Sequence, residues 1–302
     1  MPINTGSNPK LLQPGLETIW GINYTEVPKE WSRVFTTKKS KKAWEEVQQL
    51  TGFALFGVKS EGAPVAYDTS TQGFFARYNH AVWASGFVLT EENIDDNLYE
   101  SLGEQYTEAM AFSGRQTEEQ VAFNILNRAF NSSYTYLDGL ELCSTVNLNF
   151  SGGTYQNELT TAADLSEASL EQSCIDIGNF TDDRGKQIAI MPDTLIIPVD
   201  LEFEAERILK SIQRPESANN DINALRSTGK FPGGVVVSHY LTDADAYFIK
   251  TNCPNGLTHF QRKAMTFGRD NDFDTGNMKF KAQFRGSWGC TDKRGIYGSP
   301  GV

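Results

Sequence analysis

The stretch Tyr78-Asn-His-Ala-Val-Trp-Ala-Ser-Gly-Phe-Val-Leu-Thr-Glu-Glu-Asn-Ile-Asp-Asp-Asn-Leu-Tyr99 changes its period half-way along. Up to Leu89 it is the end of an extended run that begins at Gly73 and is rich in aromatics: Phe74, Phe75, Tyr78, Trp83 and Phe87. From Thr90 it turns helical. Thr90 suits an N-cap, and Glu91, Glu92, Asp95 and Asp96 suit the positive end of a helix dipole. Ile94, Leu98, Leu102 and Tyr106 then recur every fourth residue, and Val121, Ile125 and Ala129 resume the pattern. Uninterrupted to about residue 130, this helix would be a rod of roughly 55–60 Å. Gly103 and Gly114 each weaken it by ~1 kcal/mol against Ala, so a bend or break is expected near 114. Such a rod overruns an ordinary compact domain and predicts a plate-like or extended molecule.

Upstream, residues 52–90 read as a long hairpin. Phe53-Ala-Leu-Phe-Gly-Val58 is the first strand, the run from Gly73 the return, and Lys59-Ser-Glu-Gly-Ala-Pro64 the polar tip between them. A two-stranded ribbon does not hold itself up in water and needs a further surface, which another chain can supply. Residues 1–50 read as an extended arm with a short helix, outside the core. Lys38, Lys39, Lys41 and Lys42, ahead of Ala43-Trp44-Glu45-Glu46-Val47, are the chain's one basic run. They read either as a solvated helix face or as an arm touching an acidic neighbour or packaged nucleic acid.

Downstream, 135–267 reads as an α/β lobe. A loop from Ser151 to Thr161 precedes a helix capped near Ser166, lined by Leu170, Cys174 and Ile177 and closed by Gly178. After a turn at Asp182-Asp-Arg-Gly185, strands are expected at 188–190, 194–197, 235–237 and 246–249. A second helix from about Leu201 to Gln213 turns Leu201, Ala205, Ile208 and Ile212 inward. In the last segment Met278, Phe280, Ala282 and Phe284 alternate with Lys279, Lys281, Gln283 and Arg285, as in a half-buried strand. Its partner is expected far away in sequence.

The chain has 302 residues, 27 Lys plus Arg against 38 Asp plus Glu, a formal charge of −11, and 39% hydrophobic residues. That supplies a core for one large domain or two lobes and argues against disorder. No apolar run approaches the ~20 residues that span a bilayer. Met1 to Gly15 has no apolar signal-peptide core, so export is not expected and the sequons at Asn23, Asn131 and Asn179 carry little weight. The sign of the charge argues against a protein that coats nucleic acid with an overall basic surface. Cys143, Cys174, Cys253 and Cys290 are far apart and read as buried or incidental thiols of a reducing compartment.

No constellation for catalysis emerges. Gly178 through Gly185-Lys186 resembles a phosphate loop only loosely: the spacing is too long and Gln187 stands where Ser or Thr belongs, so it reads as a helix stop and a tight turn. His80, His239 and His259 each stand alone. Asp270, Asp272 and Asp274 have calcium-loop spacing, but Gly276 comes one place late and Lys281 replaces the bidentate Glu. Asp243 and Asp245 lack a third ligand. No catalytic, cofactor-binding or metal-binding residue is assigned, and no cofactor is expected.

Three stretches, in order, carry a family resemblance. They are Tyr78 to Tyr99; Ala163-Asp-Leu-Ser-Glu-Ala-Ser-Leu170 with Asp183-Arg-Gly-Lys186 and Met191-Pro-Asp-Thr-Leu-Ile-Ile-Pro198; and Arg269-Asp-Asn-Asp-Phe-Asp274 with Asp292-Lys-Arg-Gly-Ile-Tyr-Gly298. Together they resemble the major capsid proteins of tailed bacteriophages, with the Hong Kong 97-type fold, and especially the Mu-like major head subunit group. The resemblance implies an α+β subunit with an N-terminal arm at 1–50 and an extended loop at 51–90. The spine helix and the start of a peripheral domain would occupy 91–137, an axial domain 138–267, and a C-terminal return to the peripheral domain 268–302. It implies self-assembly as hexamers and pentamers into an icosahedral head, located in the virion and assembled in the host cytoplasm without a membrane. Packaged double-stranded DNA would be touched weakly and non-specifically.

Phe74, Phe75, Tyr78, Trp83 and Lys59 are then the candidate intersubunit contacts, and Lys38, Lys39, Lys41 and Lys42 the candidate DNA or neighbour contacts. In the prototype a loop Lys bonds covalently to an Asn of a neighbour. Lys59 lies near the tip, but its Asn partner and assisting carboxylate find no match, so noncovalent stabilisation with a separate cement protein is expected. The arm is expected to be too short for a fused scaffolding domain, and an opening at Met1 implies no N-terminal maturation. Scaffolding and portal proteins would be separate partners. Two other classes compete: an encapsulin-type nanocompartment shell, and an unrelated α/β enzyme, which would be a monomer or small oligomer with a pocket.

Overall fold

A thirteen-residue strand, Met278–Cys290, whose burial alternates over its first nine residues fixes the centre of the first sheet. In the computed structural model, which describes residues 20–22, 29–92, 99–213, 221–272 and 276–302, strand order can be followed from the arm onward. A helical turn, Trp31–Val34, leads into β1 (Thr36–Lys39), β2 (Trp44–Leu50), β3 (Gln72–Asn79) and β4 (Ala81–Leu89). The long helix, Tyr99–Asn127, follows, then the short pair β5 (Asn147–Leu148) and β6 (Thr154–Tyr155). Next come the helix Glu167–Gly178, β7 (Pro192–Pro198), the helices Glu202–Lys210 and Ala224–Thr228, β8 (Gly234–Ser238) and β9 (Tyr247–Thr251). The chain closes with β10 (Leu257–Asn271), β11 (Met278–Cys290) and β12 (Ile296–Ser299).

β11 holds the first four-stranded sheet, ordered β1-β10-β11-β4. Met278, Phe280, Ala282 and Phe284 are buried while Lys279 and Lys281 are exposed, as the alternation predicts. The apolar face lies against the long helix, where Met110 and Ala111 pack on Ala282. Phe280 stacks on Phe87, with ring centres 4.8 Å apart. One partner of β11, β4, is distant in sequence as expected. The other, β10, is its immediate neighbour and escapes a sequence reading because bulges at 261–263 and 263–266 destroy its period of two.

The long helix runs through Gly114 without a break. A Cβ at Gly114 would lie 3.1 Å from the Met265 Cε, so the glycine serves close approach of β10 to the helix. Its 29 residues give a rod of about 43 Å. Ile94, Asp95, Asp96 and Leu98, in the expected first turns, lie outside the described residues.

The second sheet is ordered β12-β9-β7-β8 and packs Leu195, Ile197, Tyr247 and Ile249 against the helices Glu167–Gly178 and Glu202–Lys210. Ser166 caps the first helix with a reciprocal pair of bonds to Ser169, and Leu170 and Ile177 point inward. The second helix ends at Lys210, which leaves Ile212 exposed rather than inward. Residues 188–190 form no strand, since the turn before them folds back and the Ile188 N–H donates to the Phe180 carbonyl at 3.1 Å.

Three expected boundaries shift. Trp31, Val34 and Phe35 of the supposed arm are buried with Phe123 and Leu126, so 31–35 belong to the main core. β10 begins inside the lobe that was to end at 267, and β12 lies in the second sheet rather than returning to the first. The reason is length: the β10–β11 pair is about 45 Å long and reaches both regions.

Candidate functional site

The ribbon is β2 against β3, antiparallel from Trp44 opposite Asn79 to Leu50 opposite Gln72. Its first strand therefore lies nine residues earlier than Phe53 to Val58, and residues 44–50, placed in the arm beyond the ribbon, form it. Arg77 explains the change: its guanidinium lies 4.4 Å over the Trp44 ring and within 3.7 Å of Glu46 across the ladder. The long return run is two strands, broken at His80, whose ring nitrogens meet Ser287 at 2.9 Å and Ser40 at 3.1 Å.

The root of the ribbon is fixed within the chain. Tyr78 is buried, and its hydroxyl hydrogen-bonds to that of Thr291 at 2.5 Å. Gln49 donates to the Thr291 carbonyl at 2.8 Å. Gly289 makes room for the Tyr78 ring, since a Cβ there would sit 2.7 Å from it. Burial pushes the Tyr78 phenol up. Trp83 stacks on Phe284 at 5.0 Å and meets the Trp288 ring edge-on. Tyr78 is thus an anchor of its own chain, not a contact for another, and Trp83 is largely engaged at home. Phe74 is half-buried, edge-on to Phe150 at 5.3 Å, beside a groove of about 530 Å³. Only Phe75 and Lys59 of the five candidates face outward.

Beyond Thr51, which closes the loop by pairing with Thr71 through the Thr51 N–H at 3.0 Å, residues 52–71 carry little regular structure. Leu55 is 81% exposed, Phe56 100% and Tyr67 95%, and Val58 is fully exposed as well. The candidate first strand is therefore the open apolar part of the loop.

The base of the loop is held by the turn Asp182 to Lys186. Arg184 donates to Asp68 at 2.6 Å and to the Thr69 carbonyl at 2.5 Å, and the Lys186 ammonium donates to the Phe53 carbonyl. The Ala54 N–H, then those of Thr69 and the Arg184 guanidinium, hold the Asp68 carboxyl below its ordinary value. Asp182 shapes the turn by accepting from the Arg184 and Lys186 N–H groups, and Gly185 takes the φ of +73° that it requires. This is the tight turn that the glycine spacing suggested.

The same turn leans on a buried polar clamp that the residues alone did not reveal. Arg294 donates to the Thr181 carbonyl at 2.8 Å, to Asn149 at 2.6 Å and to Asp183 at 3.1 Å, and lies 4.4 Å over the Tyr155 ring. The Lys293 ammonium, only 2% exposed, pairs with Asp138 and donates to the Leu140 and Glu141 carbonyls and to Asn147. Asn157 bridges the Leu142, Lys293 and Ile296 carbonyls. The signal was present as the pair Lys293-Arg294 inside the third resembling stretch, but pairing partners more than a hundred residues away cannot be read from spacing.

The basic run is a strand and a turn, not a helix. Lys38 donates to Asn255 at 2.7 Å and Lys42 pairs with Glu45 at 3.2 Å, whereas the Lys39 and Lys41 side chains are exposed. The histidines are apart: His239 meets Glu30 at 2.7 Å, and His259 stacks on Trp288 at 4.2 Å, its imidazole driven down to about 4 by burial. Asp272 pairs with Lys279 at 2.6 Å, and Asp274 lies outside the described residues. Among the described residues no three His, Cys, Asp or Glu side chains converge as metal ligands, and no helix is long and apolar enough to cross a membrane.

A family model described as phage capsid protein matches residues 76–299, from the root of the ribbon to the end of β12. The chain belongs to this family. No curated protein matches the capsid protein in sequence. Among solved structures it is similar to a virus-like particle from Pyrococcus furiosus, with a TM-score of 0.53 at 11% identity over 95% of this chain and 99% of that one. It is similar to the capsid of Myoviridae phage XM1, with a TM-score of 0.52 at 12% identity over 89% of each. The capsid of cyanophage P-SCSP1u gives 0.55 at 10% identity over 89% of this chain and 86% of that one. At these identities the likeness is one of fold, the Hong Kong 97-type capsid fold of mixed helix and strand.

Proposed function

We propose that this capsid protein is the repeating subunit of a phage head, assembling as hexamers and pentamers into an icosahedral shell around double-stranded DNA. The observation that carries the reading is the loop at 51–71. Leu55, Phe56, Val58 and Tyr67 stand in solvent, although burying a side chain of this size stabilises by about 1.5–3 kcal/mol. A contiguous exposed apolar segment on a ribbon with a fixed root is an interaction surface. In the assembled shell it lies on a neighbouring copy, with Phe75 and Lys59 at its margin, and closed symmetry multiplies the contact. Lys39 and Lys41 meet DNA or the neighbour. Portal, scaffolding and cement proteins act as separate chains, the subunit resides in the virion after assembly in the host cytoplasm, and no catalytic step is assigned to it.

A nanocompartment shell is the second and less supported reading, since the likeness to the Pyrococcus furiosus virus-like particle, which spans nearly both chains, is one of fold. Electron microscopy of particles formed by the full chain, alone and with a scaffold, tests the first. Closed shells of hexamers and pentamers that hold DNA are expected. Particles filled with a protein cargo would favour the second reading, and persistent small oligomers would overturn both.

A further inference from the structure

The face of β11 turned away from the long helix is more basic than a chain of net charge −11 leads one to expect. Lys279, Lys281, Gln283 and Arg285 stand on it. Residues opposite one another in an antiparallel ladder share a face. Arg285 therefore stands between Lys263 and Val82, Lys281 between Gly268 and Gly86, and Lys279 between Asp270 and Val88. At the sheet edge β1 follows β10 in parallel as far as Lys39 opposite Gln261, and the Ser40 N–H donates to the Gln261 carbonyl at 3.0 Å. The end of the basic run at Lys41 thus lies beside Arg262 and Lys263, whereas Lys39, opposite Gln261 and through it Gly286, stands on the other face. His80, beneath this junction, is held below its ordinary value by burial and then by the charges of Arg285 and Arg262.

Part of the band is neutralised at home, Lys279 by Asp272 and Lys42 by Glu45. Lys263 and Lys281 have no ion-pair partner among the described residues. The two glycines beside Lys281 differ. A Cβ at Gly86 would lie 2.4 Å from the Phe280 carbonyl oxygen, so strand approach requires glycine there. A Cβ at Gly268 would meet nothing within 4 Å among the described residues, so no packing contact there requires glycine. It leaves open space beside an unpaired lysine.

Copies that each carry −11 repel one another, and contact between them needs a surface of opposite sign. We propose that the band Lys263, Lys281 and Arg285, with Lys41 at its edge, receives carboxylates of a second copy of this chain. The proposal rests on the shell reading, since the band adjoins the root of the ribbon assigned there to a neighbour. A duplex would call for many unneutralised cations along a long stripe. A short band flanked by two lysines already paired at home, Lys279 and Lys42, suits a discrete set of carboxylates.

The test couples lysine to carboxylate with a zero-length carbodiimide in shells assembled from a mixture of isotopically light and heavy full-length chains. Lys263 and Lys281 are expected to couple to Asp or Glu peptides of the opposite label. Coupling of other lysines between labels, with none at these two, overturns the proposal. In parallel, Lys281→Glu with Arg285→Glu is expected to raise the concentration needed for assembly by about tenfold or more, with unchanged melting. Lys281→Gln with Arg285→Gln serves if the reversed pair does not fold. Assembly of both variants at the wild-type threshold overturns the proposal and leaves the shell reading standing. Failure of the wild type to form closed particles removes the reading and the proposal together. Normal assembly with lost binding of a fluorescent duplex assigns the band to nucleic acid and overturns the proposal.

Discussion

At Lys293 a charged group is 2% exposed and four polar groups surround it; at Phe56 an apolar ring is 100% exposed. Both arrangements run against the usual partition of residues between core and surface. In the clamp, charge is tolerated inside because Asp138, Asn147 and two carbonyls replace water around one ammonium. In the loop, apolar surface outside contributes nothing to folding of the single chain. The contrast separates two tasks: 138–157 and 291–299 lock the frame, while 52–71 leaves apolar surface unburied, the surface proposed above to meet a neighbouring copy. The Asp182 to Lys186 turn touches both, Arg184 on the loop side and Asp183 on the clamp side.

The strongest way to break the frame is Asp138→Ala, which leaves the Lys293 ammonium buried with only neutral partners. A loss of about 3–5 kcal/mol is expected, read as a lower urea midpoint. Retention of the wild-type midpoint would show that water reaches Lys293 and that the two regions differ less than drawn. A smaller effect is expected at Glu119, which ties the arm to the long helix by accepting the Glu30 and Trp31 N–H groups, each at 3.0 Å. Burial raises its carboxyl to about 7 in the folded chain. A raised carboxyl favours the protonated folded state, so its contribution is complete below about pH 4.5 and is lost as pH rises toward 7. Stability should fall by about 1–2 kcal/mol over that window, less than the full shift implies because solvent screens a partly accessible carboxyl. Glu119→Gln should flatten the melting-temperature profile, and an unchanged slope would remove Glu119 as its source. The smallest effect is expected from Arg184→Ala. Melting should not move, whereas proteolysis within 52–71 should quicken a few-fold as the base of the loop is released.

The two regions were unequally legible in the sequence. β11 and the helix at 167–178 were readable because period and capping are local: alternate Met278, Phe280, Ala282 and Phe284, and Ser166 before the helix. The ribbon was misplaced because Phe53 to Val58 is apolar enough for a strand, whereas the true strand Trp44–Leu50 has its apolar residues three apart, with no period of two, and is fixed by Arg77 across the ladder. Tyr78 looked like a contact for another chain because nothing in the sequence announces Gly289 and Thr291 as its pocket. The clamp was invisible for the same reason, since Lys293 and Asp138 meet only after the chain has folded.

The most direct test of this division removes the loop. Residues 53–68 are replaced by a short Gly-Ser linker, and the melting temperature and particle formation of the full chain are measured together. The account predicts melting within about 2 °C of the wild type, because the loop adds almost nothing to the frame, and no closed particles under conditions that assemble the wild type. Normal particles from the shortened chain, or a melting temperature lowered by about 10 °C, would contradict it.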